Sequence, residues 1–164
     1  MNSESMKKRE IMFLSNSDFR NHLQEISALI EQSEECILCT CWLDHEALDQ
    51  IEPYIRKRKS TKKVKIYSDG RRKHVPIAVR ERLKKNPRVE HFFAKRGKRL
   101  HSKIYYFSTG ESYKAIVGSA NLTGRGLSLN DEFSVLISGK KSSDKHKELV
   151  EYLRTIEVSL KTNT

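Results

Sequence analysis

Short apolar, β-branched runs recur along the chain, separated by stretches in which apolar residues return every three or four positions. The first pattern suits buried strands and the second the inward face of a helix. Read this way, Ile11–Leu14 is a short edge strand, and Ser17 caps a helix with Asp18 in its first turn. That helix carries Phe19, Leu23, Ile26, Leu29 and Ile30 to about Ser33. Residues 36–42 form a buried strand. Asp44 caps the next helix, which buries Ala47, Leu48, Ile51 and Ile55 and must hold Pro53 in its early part or be kinked by it. Residues 63–67 are a strand ending at the turn Ser68-Asp69-Gly70, and Pro76 opens a helix with Val79 and Leu83 that closes at Asn86-Pro87.

The second half reads differently. Residues 89–93 are a strand, and 100–107 with 113–117 form a hairpin around the loop Ser108–Ser112. Gly124-Arg125-Gly126 is a loop, 132–137 the last strand, and Ser142 or Ser143 starts a terminal helix with Leu149, Val150, Leu153 and Ile156 on one face. Early strands alternating with helices predict an α/β domain, a mixed β-sheet sandwiched between helices. Residues 1–10 are polar and expected to fray, leaving one domain over 11–160 of a 164-residue chain.

Charge sharpens this picture. The net charge is +11, but Arg56–Arg99 alone holds 19 Lys and Arg against three acids, a net +16 that leaves the rest at −5. Solvated helix faces account for part of that excess; its one-sidedness points to an anionic polymer, nucleic acid being the commonest. Lys95-Arg96-Gly97-Lys98-Arg99 is the sharpest cluster, with Arg71, Arg72, Lys73 and Arg125 as further candidate contacts and His74 beside them. No run has the length of a membrane span and residues 1–15 lack a signal-peptide core, so the expected compartment is the cytoplasm.

Cys36, Cys39 and Cys41 with His45 have a spacing that hints at zinc. On a strand, however, Cys36 points away from Cys39 and Cys41, whereas zinc needs four converging ligands. Buried packing in a reducing compartment is the expectation, with neither metal nor disulfide.

The chemistry concentrates between Leu100 and Phe133. Strand periodicity puts His101 and Lys103 on one face, and Gly118-Ser119-Ala120-Asn121 follows the paired strand. A histidine able to attack or shuttle protons, a lysine charge and a neutral amide suit a phosphodiester, whose oxygens they could hold without a metal. Ser119 is a further candidate donor.

The pattern H-x-K, then G-S-x-N, then an acid at Glu132, resembles the HKD motif of the phospholipase D superfamily. Ser108 stands where that motif usually has Asp, and the GSANLT form is closer to its nuclease and restriction-endonuclease branch than to its lipases. The resemblance implies a catalytic set of His101, Lys103, Asn121, Ser119 and Glu132, with the acid orienting the histidine. It implies no cofactor, a phosphohistidine intermediate and, because only one motif is present, a homodimer sharing one site. The expected function is a metal-independent endonuclease, with DNA ahead of RNA as partner and no membrane. A phospholipase or phosphatidyltransferase, or an inactive nucleic-acid-binding module of a larger assembly, are the rival readings.

Overall fold

Three strands, β2 (Glu35–Thr40), β3 (Val64–Ser68) and β4 (Val89–Phe93), run parallel, linked by the crossover helices α2 (His45–Lys57) and α3 (Ile77–Lys85). The chain then reverses. β5 (Ile104–Thr109) lies antiparallel to β2, β6 (Ser112–Gly118) and β7 (Phe133–Lys140) continue as a meander, and β1 (Ile11–Ser15) covers the edge of β7. The sheet order is β1-β7-β6-β5-β2-β3-β4. The computed structural model describes residues 11–17, 21–95 and 97–162; the expected frayed segment 1–10, together with Asp18, Phe19 and Arg96, lies outside them. Among the described residues no helix is long and apolar enough to cross a membrane.

The strand alternation divides the core into two layers. Leu38, Ile66, Tyr105, Phe107 and Ile116 face the side covered by α1 (His22–Gln32), α2, α3 and the short α4 (Gly124–Ser128). Cys39, Tyr67, Tyr106, Tyr113 and Ala115 face the other side, where α5 (Asp144–Lys161) seals them with Leu153, Ile156 and Leu160. Val150, expected on that inner face, is exposed instead. Cys36 and Cys39 lie in opposite layers, and burial pushes each thiol up to about 12. Cys41 falls beyond the strand, which ends at Thr40.

Helix starts follow their caps. Asp44 accepts from the Ala47 amide at 2.8 Å and Ser143 from that of His146 at 3.3 Å, both as expected. The first helix differs. Its N-cap is Asn21, in a reciprocal capping box with Gln24, and Ser17 instead bonds Ser15 in the turn after β1. Pro53 sits past the midpoint of α2, where the buried Leu48, Ile51 and Ile55, each worth about 1.5–3 kcal/mol of transfer free energy, outweigh one lost helical bond.

One consequence of this topology positions everything below. β2, β3 and β4 end, β5 begins, β6 ends and β7 begins at the same edge of the sheet, so their connecting segments converge there. In sheets of this kind, that edge is where ligands bind.

Candidate active site

His101 and Lys103 lie in the extended segment just before β5 rather than within a strand. Alternation still holds there. Ser102 turns toward α5 and its hydroxyl pairs with that of Tyr152 at 2.8 Å, while the side chains of its two neighbours meet each other. The Lys103 ammonium lies 3.3 and 3.4 Å from the two ring nitrogens of His101. That nearly equal spacing is close contact rather than one directed bond. His101 itself is exposed.

The second half of the motif is locked against the first. The Gly118 amide donates to the Lys103 carbonyl at 3.3 Å, and the buried Tyr105 hydroxyl donates to the Ala120 carbonyl at 2.7 Å. Gly118 has no room for a side chain, since a Cβ there would fall 2.1 Å from Ser134 Oγ. Asn121 sits just past β6, as expected. Its Oδ1 accepts from the Trp42 amide at 3.1 Å, leaving the amide NH2 as the group able to donate to a ligand. Ser119 donates to the Glu132 carboxylate, and Glu132 also accepts from Asn130 at 3.5 Å. Among the described residues, then, the bonds of Glu132 go to Ser119 and Asn130 and not to His101, where an orienting acid was expected.

A buried polar cluster flanks this pair. Asp69 takes three bonds from Arg71, from its backbone N at 2.8 Å, Nε at 3.0 Å and Nη2 at 3.0 Å. His74 Nδ1 lies 3.7 Å from Asp69 and 3.5 Å from Cys41 Sγ. The ligand atoms of Cys41, Asp69 and His74 lie within 4.8 Å of one another. However, both oxygens of Asp69 are already engaged by Arg71, so a cation would have to displace a guanidinium. Burial lowers the pKa of His74; Arg71, Lys73 and His101 add to the effect and Asp69 opposes it. Trp42 ties this cluster to the motif, for its amide donates to Asn121 and its ring stacks on His74.

The basic residues sort into two kinds. Arg58, fully buried, donates to the carbonyls of Ser33, Glu34 and Lys62, and Arg82 and Arg88 are likewise tied to Glu52 and to the carbonyls of Arg58 and Ser60. Of the candidate contacts, Arg71 serves Asp69, Lys98 serves Ser159 at 3.0 Å, and Arg125 bonds Asn130 at 3.4 Å. Arg125 lies in α4, where a loop was expected: Thr123 caps it and the Asp44 carboxylate accepts from the Gly124 amide at 3.1 Å. Arg72, Lys73, Lys95 and Arg99 are exposed, and among the described residues none has an ion-pair partner. They belong to neighbouring loops, for Gly70 packs against the Ala94 carbonyl. His74, which follows Arg71-Arg72-Lys73 in sequence, is buried beneath Trp42, their rings stacked at 4.1 Å. Trp42, expected within the buried strand 36–42, instead lies beyond the end of β2 with its ring partly exposed.

The model of the family described as "Cardiolipin synthase, PLD-like domain" matches residues 26–154. No curated protein matches the chain. Among solved structures, NucT from Helicobacter pylori superposes with a TM-score of 0.63 at 13% identity, over 91% of this chain and 96% of that one. The phospholipase D family member Nuc from Salmonella typhimurium gives 0.64 at 15%, over 90% and 91%. Yeast tyrosyl-DNA phosphodiesterase gives 0.55 at 15%, over 90% of this chain but 38% of that one. At these identities the likeness establishes a shared fold.

Proposed function

The chain belongs to the PLD-like domain family, and from that premise we propose that it is a metal-independent endonuclease hydrolysing nucleic-acid phosphodiesters, DNA in preference to RNA. One observation carries the reading. The Gly118–Lys103 bond joins the H-x-K and G-S-x-N halves at the sheet edge where the exposed basic loops also converge. A site with a histidine, an ammonium and an amide matches the anionic diester, and the flanking cations match its polymer. The fold neighbour named as a tyrosyl-DNA phosphodiesterase agrees with that substrate class.

In this scheme a ring nitrogen of His101 attacks phosphorus, forming an N–P bond as the P–O bond to the leaving oxygen breaks. Lys103 and the Asn121 NH2 hold the non-bridging oxygens. The leaving oxygen takes a proton from a second imidazolium, the His101 of another copy of the chain. That imidazole then accepts a proton from water as the water attacks the phosphohistidine, releasing the phosphate monoester and His101. Apolar surface beside Glu132 supports a second copy: Phe133 and Leu129 are 58% and 68% exposed, and Phe13 packs on Phe133 with ring centroids 5.4 Å apart. Isologous pairing about such a patch brings like residues together.

The test is cleavage of labelled DNA and RNA with and without EDTA, using wild type and His101→Ala. Activity persists in chelator, and His101→Ala falls to background while still binding. Activity abolished by EDTA and restored by magnesium refutes the mechanism; wild-type cutting by His101→Ala refutes the site.

A further inference from the structure

Trp42 is 41% exposed, yet the backbone that carries it is held on both sides. Cys41 and Leu43 on either side are fully buried. The Trp42 amide donates to Asn121 Oδ1, its carbonyl accepts from Thr40 Oγ1 at 2.9 Å, and Leu43 N–H donates to the His74 carbonyl at 3.0 Å. The same Thr40 hydroxyl accepts from Leu122 N–H at 2.9 Å, and Leu43 bridges Leu122 in parallel. Trp42 is therefore fixed to the turn that carries Asn121.

One face of the indole is taken. His74 stacks on it at 4.1 Å and 23°, and the imidazole is itself held by Cys41 and Asp69. The remaining exposure belongs to the rest of a large, flat, rigid ring. Covering a buried histidine does not require so much aromatic surface left in water, and Trp42 is bonded through its amide to Asn121, whose NH2 is left to donate to a ligand. Such a ring loses little conformational freedom on binding a second flat ring, and stacking on it tolerates any base.

Resting on the nuclease reading, we propose that Trp42 is a stacking platform for an unpaired nucleobase flanking the scissile phosphate. Lys103 and Asn121 hold the phosphate, and the neighbouring base leaves its own stack to lie on the indole. A base can do so only where the strand is single or has been opened, so this platform selects against closed duplex. Arg72 and Lys73, in the loop that ends at His74, are placed to follow the strand's backbone charge.

Trp42 is the only tryptophan of the chain, so its emission reports this site alone. Wild-type protein is titrated with a short single-stranded oligonucleotide and with a strand of equal length and charge bearing abasic sites around the central phosphate. Binding is followed by anisotropy of a label on the strand, and cleavage by gel. The base-bearing strand is expected to quench the emission and to bind about tenfold or more tighter than the abasic one. Trp42→Phe keeps that preference in part and Trp42→Ala loses it. Equal binding of both strands, with no change of emission and with cleavage intact, overturns the platform and leaves the nuclease reading standing. An equal loss on both strands in Trp42→Ala shows a merely structural role and also overturns it. Emission indifferent to a bound strand means that something else, a second copy of the chain included, covers the ring, and overturns it too. If neither strand binds, the nuclease reading falls together with the platform.

Discussion

The Gly118 amide and the Lys103 carbonyl meet at 3.3 Å, one bond that joins two sequence-distant halves of a site. It continues the β5–β6 ladder one step past the Ile104–Val117 pair, so the ladder itself sets Lys103 opposite Gly118, next to Ser119. Gly118 is open to this only because it lacks a side chain. The space a Cβ needs is occupied by Ser134 Oγ at 2.1 Å and by the Phe133 carbonyl at 2.5 Å.

Gly118→Ala should therefore push β6 from β7 at the site end, costing about 1–3 kcal/mol as overpacking does. Because Ser119 and Glu132 sit on the two displaced segments, activity should fall further than stability explains. Urea denaturation and cleavage rates at a temperature where the variant is fully folded separate the two effects. Wild-type rates at full folding would show that this register does not position the site.

Much of this is legible in the sequence, for reasons that individual residues explain. The strand over Val89–Phe93 and the buried face of α2 follow from local periodicity, which tertiary structure leaves undisturbed. The strand expected over 100–107 begins only at Ile104. Ile104, the first residue of β5, has ladder partners on both sides, Cys39 and Val117; before it only the Gly118–Lys103 bond continues the ladder, on one side. Where neighbours stop is not written in Leu100–Lys103. Likewise Gly124-Arg125-Gly126 has loop composition, yet Asp44, eighty residues away, holds the first turn of a helix there, and Glu46 fills the space a side chain at 124 would need. The capping box Asn21–Gln24 is readable in the sequence, but Ser17 offers a competing cap four residues earlier. Charge counting does not tell Arg58, buried on three carbonyls, from Arg72 in solvent. Ser108, the departure from the motif's Asp, lies toward the far end of β5, bonded to Glu35, well away from His101.

That division of the cations predicts which ones nucleic acid feels. Replacing Arg72, Lys73, Lys95 and Arg99 together with Ala should flatten the dependence of log K on log salt, by roughly 0.7–0.9 for each phosphate no longer neutralised. Arg82→Ala removes a charge tied to Asp49 and Glu52 and should cost stability with little change in slope. Equal slopes for the quadruple variant and wild type would show those loops to be solvated only.

Stability should fall in mild acid. His91 bonds Ser68 Oγ at 2.8 Å, and burial, with Arg80 adding to it, lowers its pKa to about 4. The unfolded chain takes a proton near pH 6.5, which the folded one refuses until about pH 4. The contribution is thus complete above pH 6.5 and is lost as pH falls to about 4. At about 1.4 kcal/mol per unit, the loss is on the order of 3 kcal/mol. His22, buried between Asn16 and Ser134 and also lowered by burial, although Glu132 opposes it, acts in the same direction. Urea midpoints at about pH 7, 5.5 and 4 should decline in wild type and less steeply in His91→Gln. Parallel declines would assign the effect elsewhere.

The shared site makes the strictest demand. A mixed dimer of wild type and His101→Ala, purified through two different tags, holds one nucleophile and no second histidine to protonate the leaving oxygen. General acid assistance is typically worth about 10²–10⁴ in rate. A natural diester, whose alkoxide leaves poorly, should be cut more slowly by that order, well below half the wild-type rate. A diester with a nitrophenol leaving group needs little protonation, so its first step should survive much better. Histidine-linked phosphate should then accumulate on the wild-type subunit alone, because no partner imidazole activates the water that would release it. If the mixed dimer keeps half the wild-type rate on natural DNA, each subunit works by itself, and the proton for the leaving oxygen comes from a group within one chain.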